Sequence, residues 1–131
     1  MSKALILIVE DDEKNMKLMR HLLQFQGYRT LEAMTAGAGI AMAKEHHPDL
    51  ILMDIQLPDF DGITALEKLR ADPATRDIKA MAVSASVMPE DRSRILAAGF
   101  NGFQGKPVKI AEFTDAVKKM LGPQPATRPK S

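Results

Sequence analysis

The sequence predicts an α/β fold, a doubly wound parallel sheet of five strands with five helices. Three observations predict it. Strand-like and helix-like segments alternate five times between residues 4 and 121. Three of the strand segments, residues 4–9, 50–53 and 80–83, are unbroken apolar runs, the pattern of parallel strands covered by helices on both faces. The loops between segments are short, so successive βα units wind right-handed onto a single sheet.

Each element has its own local reason. The first strand, residues 4–9, runs into Glu10-Asp11-Asp12-Glu13. Residues 13–26 read as a helix: Met16, Met19, Leu22 and Leu23 share a face, the Glu13–Lys17 pair supports it, and Gly27 stops it. Asp12 is suited to cap its start. Residues 28–33 alternate polar and apolar side chains, which suits a strand near a sheet edge. The second helix, residues 36–46, follows a Thr35 cap and ends before Pro48. The third strand ends in Asp54, and the third helix, residues 62–71, ends at Asp72-Pro73. The fourth strand ends in Ser84. Residues 89–98 then start a helix at Pro89 and stop at Gly99. Residues 99–104 carry two glycines and are the least strand-like of the five strands. Residues 110–121 place Ile110, Phe113, Val117 and Leu121 on one face, although Lys109 is a poor N-cap. Residues 122–131 hold three prolines and almost nothing apolar, so the domain is expected to span 1–121 and a solvated tail 122–131.

Composition excludes several classes. The chain has 131 residues, 45% hydrophobic and 27% charged, the balance of one soluble globular domain. No apolar run reaches the ~18 residues that span a bilayer. The apolar stretch after Met1-Ser2-Lys3 is too short for a signal peptide and lacks a small-residue cleavage site. The expected location is therefore cytoplasmic, with no membrane partner. Without cysteine there are no disulfides, thiolate metal sites or cysteine nucleophiles. A net charge of +1 offers no electrostatic reason to bind nucleic acid.

The chemistry lies where such a sheet binds ligands, outside the carboxyl ends of its strands. Glu10-Asp11-Asp12 follow the first strand, Asp54 ends the third, Ser84 ends the fourth, and Lys106-Pro107 follow the fifth. Carboxylates crowded into one crevice repel one another and call for a cation. A hard divalent ion with oxygen ligands, Mg2+ above all, answers that need. An anion that bridges such an ion, a lysine and a hydroxyl is most naturally a phosphoryl group, which a central carboxylate can receive as nucleophile.

In order and spacing the chain resembles the response-regulator receiver family. The resemblance rests on Ile8-Val9-Glu10-Asp11-Asp12, Asp49-Leu50-Ile51-Leu52-Met53-Asp54-Ile55-Gln56-Leu57-Pro58, Asp61-Gly62, Val83-Ser84-Ala85 and Gly105-Lys106-Pro107. It covers residues 4–121. The runs Glu13-x-Asn15-Met16-Lys17-Leu18 and Asp49 to Pro58 are most similar to single-domain cell-cycle regulators of the DivK type.

The resemblance implies a flavodoxin-like fold with Asp54 as phosphoacceptor. It implies Mg2+ held by Asp11 directly, by Glu10 through water, by Asp54 and by the backbone carbonyl of Gln56. Lys106 and Ser84 would meet the phosphoryl oxygens, Pro107 would follow a cis peptide bond, Gly62 would fit a tight turn, and Phe103 would be the aromatic switch. The donor would be a histidine kinase or histidine phosphotransfer protein. A downstream target would be selected by the face of the fourth helix, fifth strand and fifth helix. Three positions depart from the common pattern: Glu10 for aspartate, Ser84 for threonine, and Phe103 for tyrosine, whose phenolic hydrogen bond is lost. None removes an essential group. The alternative within the family is the receiver part of a longer regulator or hybrid kinase, its tail opening a linker.

Other readings compete. Phe103 alone reads as core, Lys106 alone as a surface lysine, and Asp59 and Asp61 as turn residues. His46 and His47 suit a helix C-terminus, His21 an exposed helix position, and the nine methionines adaptable core filler. A hydrolase with an aspartate nucleophile wants a second aspartate two positions after Asp54, where Gln56 stands. A flavin carrier wants a Ser/Thr/Gly-rich phosphate loop where Glu10-Asp11-Asp12-Glu13 would repel one.

Overall fold

A computed structural model describes residues 4–85 and 88–122. The elements run β1 (Leu5–Val9), α1 (Glu13–Phe25), β2 (Arg29–Ala33), α2 (Ala36–His46), β3 (Leu50–Asp54), α3 (Gly62–Ala71), β4 (Lys79–Ser84), α4 (Pro89–Ala97), β5 (Gly102–Gly105) and α5 (Ile110–Leu121). Of the expected tail, only Gly122 falls within the described residues.

All strand pairs are parallel, in the order β2-β1-β3-β4-β5. The alternating strand, β2, is at an edge as its pattern suggests. β1 and β3 are central neighbours, with Val9 opposite Met53 and Asp54 opposite Val83. Because successive side chains of a strand point to opposite faces, each central strand feeds two cores. Leu7, Val9, Ile51, Met53, Ala80 and Ala82 pack with Ala65, Leu66, Leu69 and Ile95 on the side of α2, α3 and α4. Ile6, Ile8, Leu50, Leu52, Met81 and Val83 pack with Met16, Met19, Leu23, Phe113 and Val117 on the side of α1 and α5. Each large side chain buried this way contributes about 1.5–3 kcal/mol. Among the described residues no helix is long and apolar enough to cross a membrane.

Local signals account for most boundaries. Asp12 caps α1, accepting from the N–H of Lys14 at 2.8 Å, and Thr35 caps α2, accepting from Ala38 at 3.1 Å. Lys109 makes no side-chain capping bond. β5 begins three residues later than the apolar pattern suggests. Gly99 adopts φ 116° to close α4, and Asn101 is used by the neighbouring strand, its N–H bonded to the Ala80 carbonyl and its side chain to the Ala80 N–H.

Candidate functional site

With all strands parallel, the residues beyond β1, β3, β4 and β5 meet at one edge of the sheet. Glu10, Asp11 and Asp54 each offer a carboxylate oxygen within 4.8 Å of the others. Glu10 is completely buried, Asp54 is 4% exposed, and Asp11 opens to solvent. Glu10 Oε2 accepts from the N–H of Asp12 at 3.1 Å, which anchors the turn into α1. Asp54 Oδ1 accepts from the N–H of Gln56 at 3.1 Å, so the β3–α3 loop folds back over the carboxylate. That loop is drawn tight where Gly62 opens α3. A Cβ there would stand 2.5 Å from the Asp54 carbonyl oxygen and 3.0 Å from Ile55 Cα, so the close approach itself demands glycine.

Lys106 comes from the loop after β5, its N–H bonded to the Ser84 carbonyl at 2.9 Å and its peptide bond to Pro107 cis, as the resemblance implies. Its ammonium donates to Asp54 Oδ2 at 3.1 Å and to Glu10 Oε2 at 3.4 Å. Glu10 Oε1 is nearer, at 3.1 Å, but off the hydrogen-bonding direction. It is the one buried side-chain nitrogen or oxygen among the described residues with no hydrogen-bond partner. Burial first, and the charge of Asp54 second, push the Glu10 carboxyl from 4.5 up to about 7. Burial works against the charge of Lys106, but the hydrogen bonds and charges of Asp54 and Glu10 outweigh it and raise its pKa.

Three carboxylates against one ammonium leave two negative charges uncompensated when all are ionised. The atoms offered are carboxylate oxygens only, and Glu10 carries an orphaned buried oxygen. That donor set fits a hard divalent cation such as Mg2+.

Ser84 is buried at the end of β4, opposite Gly105 in the register. Phe103 stands opposite Ala82 on the same face, half-buried against the α2–α4 core. Two further residues make contacts here that the sequence does not signal. Arg92 of α4 lays its guanidinium carbon 4.9 Å from the centre of the Phe103 ring. Asp59, read as a turn residue, accepts from the N–H groups of Ala36 and Gly37 across the loop. Asp61 caps α3 through the N–H of Thr64, and neither aspartate belongs to the carboxylate cluster.

Comparison with known proteins identifies the family. The model of the family described as response regulator receiver domain matches residues 6–118. The chain is 41% identical over 117 residues to the polar-differentiation response regulator DivK of Brucella ovis, covering 89% of this chain and 95% of that protein. Among solved structures it is similar to the receiver domain of sensor histidine kinase PA1611 from Pseudomonas aeruginosa PAO1, which has a magnesium ion coordinated in its active-site cleft. The TM-score is 0.85 at 31% identity, over 93% of this chain and 100% of that one. A CheY-like response regulator receiver domain protein from Methanospirillum hungatei JF-1 gives 0.83 at 32% identity, over 92% and 94% of the two chains.

Proposed function

The chain belongs to the response-regulator receiver family of two-component signalling, and from that premise we propose that it accepts a phosphoryl group on Asp54 with Mg2+ bound. The observation that carries this reading is the convergence of Glu10, Asp11 and Asp54 with the ammonium of Lys106. Asp54 is the nucleophile. Each of its two carboxylate oxygens meets one donor, Gln56 N–H or Lys106, which holds the group in a single orientation before reaction. Asp11, Asp54 and the Gln56 carbonyl would hold Mg2+ directly, and Glu10 through water. The bound ion supplies positive charge against the phosphoryl oxygens.

In the transfer, an Asp54 oxygen forms a bond to phosphorus while the bond from phosphorus to the donor's histidine nitrogen breaks. The electron pair of the broken bond stays on the imidazole, which takes up a proton. Lys106 and Ser84 then hold the phosphoryl oxygens. The donor is a histidine kinase or a histidine phosphotransfer protein. Ser84, buried beside the strand that carries Phe103, relays the change to the face of α4, β5 and α5. A partner protein reads that face; the net charge of +1 gives no pull toward nucleic acid or membrane. Hydrolysis of the acyl phosphate ends the signal, so the protein is a phosphoacceptor rather than a turnover enzyme. The receiver spans 1–121 with a tail at 122–131, in the cytoplasm.

Intact mass after exposure to Mg2+ and a small acyl- or amidophosphate tests the reading. The wild type gains one phosphoryl group and Asp54→Asn, isosteric but a poor nucleophile, gains none. Full phosphorylation of Asp54→Asn overturns it.

A further inference from the structure

The β3–α3 loop is a closed bend. Its base is tied by the Gly62 N–H to the Ile55 carbonyl at 2.8 Å, and Ile55 is itself bonded to Val83 of β4. Its outermost part is tied elsewhere. Asp59 Oδ1 accepts from the N–H of Ala36, and Oδ2 from that of Gly37, both at 2.9 Å.

These are the first two donors of α2, which have no partner inside the helix. The helix's own cap, Thr35, serves only the third, Ala38. A carboxylate meeting two amides at a helix N-terminus is held by both the hydrogen bonds and the helix dipole. The bond from Gly37, with a smaller share from Ala36, keeps the Asp59 carboxyl below its ordinary range. Gly37 also leaves the carboxylate room, since a Cβ there would stand 3.3 Å from Oδ2. The chain therefore fastens the tip of this loop to a helix that is otherwise already capped. Gln56, three positions before Asp59, leads into the same bend, and its N–H bond to Asp54 ties it to the site.

We propose that Asp59 is a positioning residue for the metal site: by gripping the start of α2 it fixes the loop whose Gln56 carbonyl would hold Mg2+. The inference rests on the reading of Asp54 and Gln56 as Mg2+ ligands. Asp59 touches neither metal nor phosphoryl group. Its effect is to keep the carbonyl in place, so that ion binding need not order the loop.

Three measurements on the full chain test this: Mg2+ affinity by calorimetry, exchange of the Gln56 amide by NMR without metal, and thermal midpoint. Asp59→Ala weakens Mg2+ roughly tenfold, the low end for groups that orient a ligand without touching the metal. It also speeds exchange at Gln56. Asp59→Asn, with one acceptor left, has a smaller effect, and Asp59→Glu, with both oxygens on a longer arm, recovers most of the affinity. Thr35→Ala is the control. It removes a bond from the same helix terminus, so it lowers the midpoint, yet it leaves Mg2+ affinity and Gln56 exchange as they were. Wild-type affinity in Asp59→Ala, or an equal loss in Thr35→Ala, overturns the proposal while the metal reading stands. A wild type that binds no Mg2+ overturns both.

Discussion

Replacing Glu10 with glutamine stabilises the metal-free protein in mildly alkaline solution and leaves it nearly unchanged in mild acid. The magnitude follows from the site. Glu10 is completely buried, one of its oxygens lacks a hydrogen bond, and its carboxyl titrates near 7 in the fold against 4.5 for an ordinary glutamate. Below 4.5 the group is protonated in the folded and unfolded chain alike and contributes no difference. Between 4.5 and about 7 the folded protein holds a proton that the unfolded chain has released. Stability therefore falls as pH rises, by about 1.4 kcal/mol per pH unit, and the loss is complete above about 7. Across that interval the loss is about 3 kcal/mol.

Glutamine keeps the shape and the acceptor for the Asp12 N–H but cannot ionise, so the decline disappears. Urea unfolding of wild type and Glu10→Gln, with chelator present, at about pH 5 and about pH 8, reads the difference as a shift in midpoint at constant slope. Added Mg2+ closes the gap from the wild-type side, because a cation that binds only the folded state stabilises it by mass action. Curves that stay parallel at both pH values refute the argument, since the Glu10 carboxylate would then be ionised in the fold without penalty.

Three more changes read other parts of the structure. Gly62→Ala drives a Cβ into the Asp54 carbonyl and Ile55 Cα, backbone atoms that cannot swing aside, so urea unfolding shows a loss of about 1–3 kcal/mol. Arg92→Ala removes a cation from over the Phe103 ring, a contact worth ~0.5–1 kcal/mol at an exposed site. With Phe103 as the proposed aromatic switch, loss of this contact raises the share of the ring turned inward toward Ser84 roughly twofold to fivefold without phosphate, read from Phe103 ring shifts by NMR, and unchanged shifts count against Arg92 as the restraint. Ser84→Ala leaves Asp54 able to accept phosphate but flattens the response of partner affinity to a phosphoryl mimic; an undiminished response means that the signal takes another route.

Much of this molecule is decided over a few neighbouring residues, and that part is legible in the chain. Unbroken apolar runs announce strands buried on both faces, and the alternating run at β2 announces an edge. Asp12 and Thr35 cap the helices that follow them, Pro89 opens α4, and Gly27 and Gly99 close α1 and α4 at φ 94° and 116°. These signals act through hydrogen bonds and backbone preferences at short range, so no knowledge of the distant chain is needed. The residue types at the strand ends were equally legible as candidates, and family resemblance put them in register.

What only the tertiary structure decided is what those residues touch. The order β2-β1-β3-β4-β5 puts Glu10 beside Asp54 and brings Lys106, 96 positions away, within 3.1 Å of both. The raised pKa of Glu10 follows from that burial and that neighbour. Asp59 and Asp61 look alike in sequence, two carboxylates in one turn. Asp61 caps its own helix, while Asp59 reaches the N-terminus of a helix more than twenty positions back. Arg92 is a surface arginine by every local criterion until the fold lays it over Phe103. A pattern in the chain can say that a side chain is charged or apolar. Its partner, and hence its free energy, depends on distances through space that only the packed sheet and helices set.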